Sequence, residues 1–581
     1  MLRRIHGYRC SLTQNSHRMK QSRCGLGSGL PIDPKVKMAR RYTGGKAERS
    51  CQIGTIPRAD RAAEKGERQP GMETAAGGLA PSQSEFDIRQ RPASATAGAP
   101  GKTRSRWPEW CAFFAYAALV AFAIPFHEPF ADEAQAWQLA RSLSLGSLFK
   151  TYIRYEGSPG LWHFLLWILI RIHVGYAGIH WICGGIAVAA TALLIFKSPF
   201  PRYLKLTLPF TVFLVYQYAV VARNYVLAPI LLYLVAMCWK RSPLILALLL
   251  GLLANVSLHA SVMSGGLAIV YLVEQVRHGD AKDPRRQRQQ LPGAVILLAL
   301  WAFAIWTAWP PHDFSNHLSA CLRSSPLLIL RGAVGSLVLG MFYPWILSVA
   351  FWVVLVNCLR ARRSLLYLLP VLFFAIFAGI VGLTWWHVGL LIPLIICIFW
   401  ITWPAPGAKV SQPEIYGRTA LVAMTIMQIL WACYAIEFDH YHAFSPDRAT
   451  AEFLRPYVRQ GARIAVTYAY DPEGHGFFSI GILPYFDHNI FINLPEPFWS
   501  WRNGDLSEEM FAKVLPTRPN VVVVEQNSND PGLPIDMLNP KIRLLNQDGY
   551  RFTHMFCGVM PVGFELVGKS CQLIFQRGDS G

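Results

Sequence analysis

Residues Phe126–Leu161 read FHEPFADEAQAWQLARSLSLGSLFKTYIRYEGSPGL. Strongly apolar runs lie on both sides, so the stretch reads as a loop just outside a membrane. It is more structured than a connector needs to be. The adjacent acids Asp132 and Glu133 precede Ala-Gln-Ala-Trp-Gln-Leu-Ala-Arg, good helix-forming sequence. A third acid, Glu156, and a Gly-Ser-Pro-Gly turn close the stretch, and Pro159 suits the first turn of a following helix.

The flanking composition sets the class. The chain has 581 residues, of which 53% are hydrophobic. Many apolar runs approach the roughly 20 residues that cross a bilayer. The expected fold is an all-α polytopic transmembrane bundle of about 11–13 helices with a small C-terminal α/β domain outside the membrane. The net charge of +20 sits largely in the first hundred residues and in short loops. That distribution follows the positive-inside rule and calls for no nucleic-acid partner.

Three regions follow. Residues 1–106 are rich in Arg, Lys, Gly, Ser, Gln and Pro, lack an apolar period, and read as a disordered basic tail. No apolar stretch follows the basic start, so no signal peptide is expected there. Residues 107–438 read as the membrane domain, with an outward loop over 127–159. Residues 439–581 read as the α/β domain: Asp447–Gln460 has a helical pattern, whereas Arg463–Tyr468 and Asn520–Glu525 (NVVVVE) read as strands.

Charge orients the chain. Arg104 and Arg106 precede the first span, placing the N-terminus in the cytoplasm and the loop outside. Lys240-Arg241, Arg277–Arg288 and Arg360–Arg363 mark further cytoplasmic ends. The breaks at Ala222–Tyr225, Leu258–Ser261, Pro310–Ser325 and Thr384–Val388 then face outward, as does the C-terminal domain. Twelve apolar segments, among them 204–221, would return both ends to one side, but the charges place them on opposite sides. One segment between 160 and 222 is therefore split or does not cross.

Candidate site residues follow from this topology. Asp132 and Glu133 are either helix-capping acids at the positive end of a dipole or a catalytic pair in which one carboxylate accepts a proton. Glu156 ends the loop, and His163 lies about one turn into the next helix as a packing residue or a ligand contact. Arg223 and Asn224 interrupt an apolar run. A guanidinium at membrane depth is costly unless paired or wet, and it is a natural partner for phosphate. His259 and His387 occupy similar outward breaks. The twelve cysteines show no zinc-like spacing. Cys557 and Cys571 flank a hairpin pattern and are candidates for a disulfide in an oxidising exterior.

This arrangement resembles the GT-C superfamily of integral-membrane glycosyltransferases. These include protein O-mannosyltransferases, lipid A aminoarabinose transferases and oligosaccharyltransferases. FADEAQAWQLARSL is similar to the family's acidic motif and the helix after it. GSPGLWHFLLW is similar to its Pro-marked second span, and ARNYVLAPILL to the short polar break before a later span. The chain departs in having Ser158-Pro159-Gly160 where Pro-Pro is common, Asn224 where an acid often stands, and no Trp-Trp-Asp triplet. The resemblance implies transfer of a sugar from a polyprenyl-phosphate donor to a glycan, lipid or protein acceptor, at the outer face of a bacterial inner membrane. It implies Asp132 as general base, Glu133 positioning substrate or a divalent metal, and a lipid-phosphate contact from Arg223. Two other classes stand beside it. A lipid or polyprenol transporter would show internal repeats, which the sequence lacks. A non-catalytic membrane scaffold would use Asp132 only as a cap.

Overall fold

The computed structural model describes residues 105–581, except 278–283, 314–324, 469–477, 499–514, 529–538, 579–581 and positions 343, 383, 406 and 563. The basic tail expected over 1–106 lies outside the described residues but for its last two.

The chain is mostly helical, with one small sheet near its C-terminus. Helix α1 (Trp107–Ala123) leads into the loop. There the chain forms α2 (Ala131–Ser142), α3 (Leu145–Lys150) and a 3-10 turn at Tyr152–Tyr155, before α4 (Leu161–Arg171). Helices α5 (Gly178–Lys197), α6 (Arg202–Thr207), α7 (Leu227–Cys238), α8 (Pro243–Ala254) and α9 (Leu258–Arg277) follow. Next come α10 (Pro284–Ala308), α11 (Pro326–Val338), α12 (Trp345–Ala361), α13 (Leu369–Val381), α14 (Trp385–Val388), α15 (Leu391–Thr402) and α16 (Gln412–Tyr441).

Among the described residues, four helical stretches are long and apolar enough to cross a membrane: Gly178–Lys197, Arg288–Ala308, Trp385–Thr402 and Gln412–Tyr441. Seven further apolar helices have 10–17 residues. At about 1.5 Å per residue, a 12-residue helix covers only about 18 Å of a hydrocarbon core about 30 Å thick. Among the described residues, the helices do not make a full bundle of 11–13 spans: four are of spanning length and seven are shorter. It remains a membrane protein by its apolar helices. Its outer surface agrees: Phe114 and Phe122 on α1, Leu291, Val295 and Leu298 on α10, and Ile346 on α12 are exposed. A surface this apolar suits lipid rather than water.

The run 204–221, read as one span, is broken. After α6, a 3-10 turn holding Pro209 covers Leu208–Phe210, and a π-helical turn covers Phe213–Gln217. Pro209 lacks the N–H that a continuing helix would use. Phe213, Leu214, Val215 and Tyr216 are all buried, the setting in which irregular backbone is tolerated at membrane depth.

Beyond α16 come α17 (Asp447–Arg459), β1 (Ile464–Tyr468), β2 (Val521–Ser528), α18 (Pro540–Gln547), β3 (Tyr550–Val562) and β4 (Glu565–Arg577). The sheet order is β1-β2-β4-β3, with β1 and β2 parallel and the other pairs antiparallel. Alternation along NVVVVE divides β2 between two apolar layers. Val521 and Val523 join Ile464, Leu454 and Phe491; Val522 and Val524 join Ile542, Leu545 and Phe575. Strand β3 packs on the segment leaving α16. Val559 N–H donates to the Ala443 carbonyl at 2.9 Å. Gly558 lies so close to Ser445 that a Cβ would meet its backbone at 2.6 Å. That contact carries the far end of β3 to the site described next.

Candidate functional site

The loop 127–133 is organised by the start of α2. Phe130 is extended and has no capping side chain, and Glu133 supplies the acceptor instead: its Oε1 takes the Phe130 N–H at 2.8 Å. Successive helical residues turn by about 100°, so Asp132 and Glu133 face different ways. Glu133 is 1% exposed, whereas the Asp132 side chain is 43% exposed.

Glu133 is fully engaged. Its Oε1 also faces His127 Nε2 at 3.3 Å; its Oε2 faces His180 Nε2 at 3.0 Å and accepts the Ala222 N–H at 2.6 Å. Burial would raise its pKa, but the His127 charge and the hydrogen bonds from both histidines outweigh that and hold it well below the usual carboxylate range. His127 Nδ1 faces Asp439 Oδ2 at 3.0 Å, at the C-terminal end of α16. Burial would lower the His127 pKa, yet the Asp439 and Glu133 carboxylates on its two nitrogens raise it. The resemblance implies a Glu133 that positions substrate or a metal; the structure buries it and ties it by hydrogen bonds to the start of α2, to His180 of α5 and to the break at 222.

Asp132 faces outward. Its Oδ2 pairs with Arg223 Nη2 at 2.5 Å. The Arg223 guanidinium lies over the Trp386 ring, 4.4 Å from its centroid, and 5.4 Å from that of Tyr225. Arg223 and Trp386 border a small cleft, lined also by Phe130, Trp385 and Phe444 and by Met560–Val562 of β3, and Asp132 meets it through Arg223. The lining is largely aromatic, and the Arg223 guanidinium in it is a natural partner for a phosphate or a carboxylate.

The other sequence candidates divide. His387 packs edge-on to Tyr225 at 5.6 Å and stacks on His259 at 4.1 Å, linking both histidines to Arg223 through Tyr225. His387 Nδ1 lies 2.7 Å from Thr384 Oγ1, capping α14. Glu156 is half-buried and accepts a hydrogen bond from Gln135 at 2.7 Å. Burial pushes its pKa up to about 8, the Gln135 bond partly opposes this, and the Asp132 charge adds to it. Asn224 Nδ2 donates to the Val256 carbonyl at 2.7 Å and to Ser158 Oγ at 3.2 Å, tying the break at 222 to the turn before α4. His163 is buried in α4, and its ring nitrogens have no hydrogen-bond partner among the described residues. Cys557 and Cys571 face each other across β3 and β4 and are disulfide-bonded.

Sequence reasoning missed His127, His180 and Asp439. His180 had a visible signal, being an ionisable side chain within an apolar helix. His127 and Asp439, 312 residues apart, had none. No family model, curated protein or solved structure matches the chain.

Proposed function

We propose that the chain is a GT-C-like glycosyltransferase, which moves a sugar from a polyprenyl-phosphate carrier to an acceptor at the outer face of a bacterial inner membrane. The observation that carries the reading is the Asp132–Arg223 pair, whose guanidinium lines the aromatic cleft. It sets a carboxylate beside the guanidinium that would hold a lipid phosphate. In this reading the shorter apolar helices complete a polytopic bundle, with the N-terminus inside and the C-terminal domain outside. The broken run 204–221 is the segment that does not cross, which fits the opposite placement of the two ends by charge.

The reaction is a single displacement. The carrier's isoprenoid lies along Trp385, Trp386 and Phe444, and its phosphate engages Arg223. As the phosphate draws Arg223 away, Asp132 becomes free to accept the acceptor hydroxyl's proton. The acceptor oxygen then bonds to the anomeric carbon. The bond from that carbon to the phosphate oxygen breaks, and polyprenyl phosphate leaves with the electron pair, held by Arg223. Inversion follows from one attack on the opposite face. Glu156, kept neutral near pH 7 by its surroundings, offers a hydrogen bond to the sugar without adding a second negative charge.

The test is genetic and chemical. Deleting the gene should remove one glycan or glycolipid from the envelope, and wild-type protein should restore it. Asp132→Asn, present at wild-type abundance, should not. Full restoration by both Asp132→Asn and Asp132→Ala refutes the reading. Labelling of Leu145→Cys by an impermeant thiol reagent tests the outward loop.

A further inference from the structure

Behind the cleft, three metal-ligating side chains meet. One atom each from His127, Glu133 and His180 lies within 4.8 Å of the other two, and all three residues are buried. We propose that this cluster is a binding site for one divalent transition ion of the zinc class, an assignment that goes beyond glycosyl transfer and does not depend on it.

The donor set comes first. Two imidazoles and one carboxylate form a ligand trio common for zinc. Magnesium and calcium, in contrast, favour oxygen donors throughout. Spacing agrees: two ligands at about 2.05 Å from a tetrahedral ion stand about 3.3 Å apart. Glu133 Oε1 lies 3.3 Å from His127 Nε2, and Glu133 Oε2 lies 3.0 Å from His180 Nε2.

The surrounding shell is the second, independent observation. Metal-bound imidazoles usually give their other nitrogen to a carboxylate, which fixes the ring. His127 has that arrangement, with Nδ1 at 3.0 Å from Asp439. The Phe130 and Ala222 N–H groups orient the Glu133 carboxylate, at 2.8 and 2.6 Å. The ligands also come from separate parts of the chain: the loop after α1, the start of α2 and the start of α5. Asp439 adds the end of α16. One ion would therefore cross-link the catalytic loop to the membrane core.

The experiment uses full-length protein purified in detergent without chelator. Mass spectrometry of metals should find about one zinc-class ion per chain. Stripping with a chelator should lower the thermal midpoint, and Zn²⁺ should restore it where Mg²⁺ does not. Co²⁺ added to the stripped protein should give the visible bands of a low-coordinate cobalt site. His180→Gln should lose the ion, and Asp439→Asn should weaken binding by about 10- to 100-fold. The proposal is overturned if the purified protein holds no stoichiometric ion and the stripped protein, still helical by circular dichroism, gains neither stability from Zn²⁺ nor bands from Co²⁺. Wild-type metal content in His180→Gln also overturns it. None of these readouts uses transferase activity, so a failure here is distinct from a failure of the glycosyltransferase reading.

Discussion

Asp132 and Arg223 hold each other before any ligand arrives, and this yields two mutational effects of opposite sign. In Arg223→Ala the phosphate loses a charge-assisted partner, worth about 1.5–3 kcal/mol. Affinity for a polyprenyl phosphate should fall by about 10- to 150-fold. In Asp132→Asn the phosphate no longer competes with a carboxylate for the guanidinium. The pair is partly exposed, with the Asp132 side chain 43% accessible. Such pairs are worth about 0.2–1 kcal/mol. Binding should therefore tighten by up to about fivefold while transfer is lost. The chain has 19 tryptophans, so fluorescence would not isolate Trp385 and Trp386. Calorimetric titration into nanodisc-embedded protein is the better assay, with the uncharged polyprenol as reference ligand. Arg223→Lys keeps the charge but not the planar fork, and should fall between wild type and alanine. If Arg223→Ala leaves the preference for phosphate over alcohol intact, or Asp132→Asn weakens phosphate binding, the proposed division of roles is wrong.

Three further predictions concern the frame around the site. Asp447 is buried, and its oxygens accept from Ser445 Oγ at 2.6 Å and Gln572 Nε2 at 2.7 Å. Burial raises its pKa to about 7 against those two bonds, with the Glu525 and Glu128 charges adding to the rise. The folded state thus keeps a proton that the unfolded chain releases near pH 4, so stability should fall as pH rises from about 4 to about 7 and then level off. Asp447→Asn should flatten that slope, read as thermal midpoints at about pH 4.5 and about pH 8; an unchanged slope sinks the assignment. The Cys557–Cys571 bridge joins residues 14 apart, and closing such a loop is worth about 3 kcal/mol in the chain-entropy model. Reductant should lower the melting of the C-terminal domain, and the double serine variant should be insensitive to reductant. A Cβ at Gly389 would run into the Phe213 ring and the Tyr218 hydroxyl, and Tyr218 donates to the Trp386 carbonyl at 2.6 Å. Gly389→Ala should cost about 1–3 kcal/mol and weaken phosphate binding with it, seen in the same calorimetry.

What was legible in the sequence was local. Asp-Glu ahead of a helix-forming run places α2, the valines at 521–524 place β2, and the interruption at Arg223 marks a break; each depends on near neighbours alone. Two things were hidden. Hydropathy reports how apolar a run is but not whether its backbone stays helical. The run at 204–221 is apolar enough to pass as a span while Pro209 and the π turn divide it. Side-chain direction was also hidden. A helix starting at Ala131 separates Asp132 from Glu133 by about 100°, but which of them turns inward depends on partners far along the chain. Those partners are His180, Ala222 and, through His127, Asp439.

The buried acid has a consequence for the exposed one. Glu133 is bonded to the Phe130 and Ala222 backbone N–H groups. Asp132 directly precedes Glu133, and Arg223 directly follows Ala222. The two partners of the outer ion pair are thus covalent neighbours of the two ends of one buried hydrogen bond, which sets their separation before their side chains meet. An isolated Asp–Arg pair at a membrane surface would have many geometries, since arginine's long side chain has several rotatable bonds. Here the backbone positions are fixed from below, and Trp386 restricts the guanidinium from one face. The capping and catalytic readings of Asp-Glu are therefore not rivals. Glu133 does the capping, and by doing so it fixes the backbone from which Asp132 meets Arg223, a fixed orientation that the proposed general base would need.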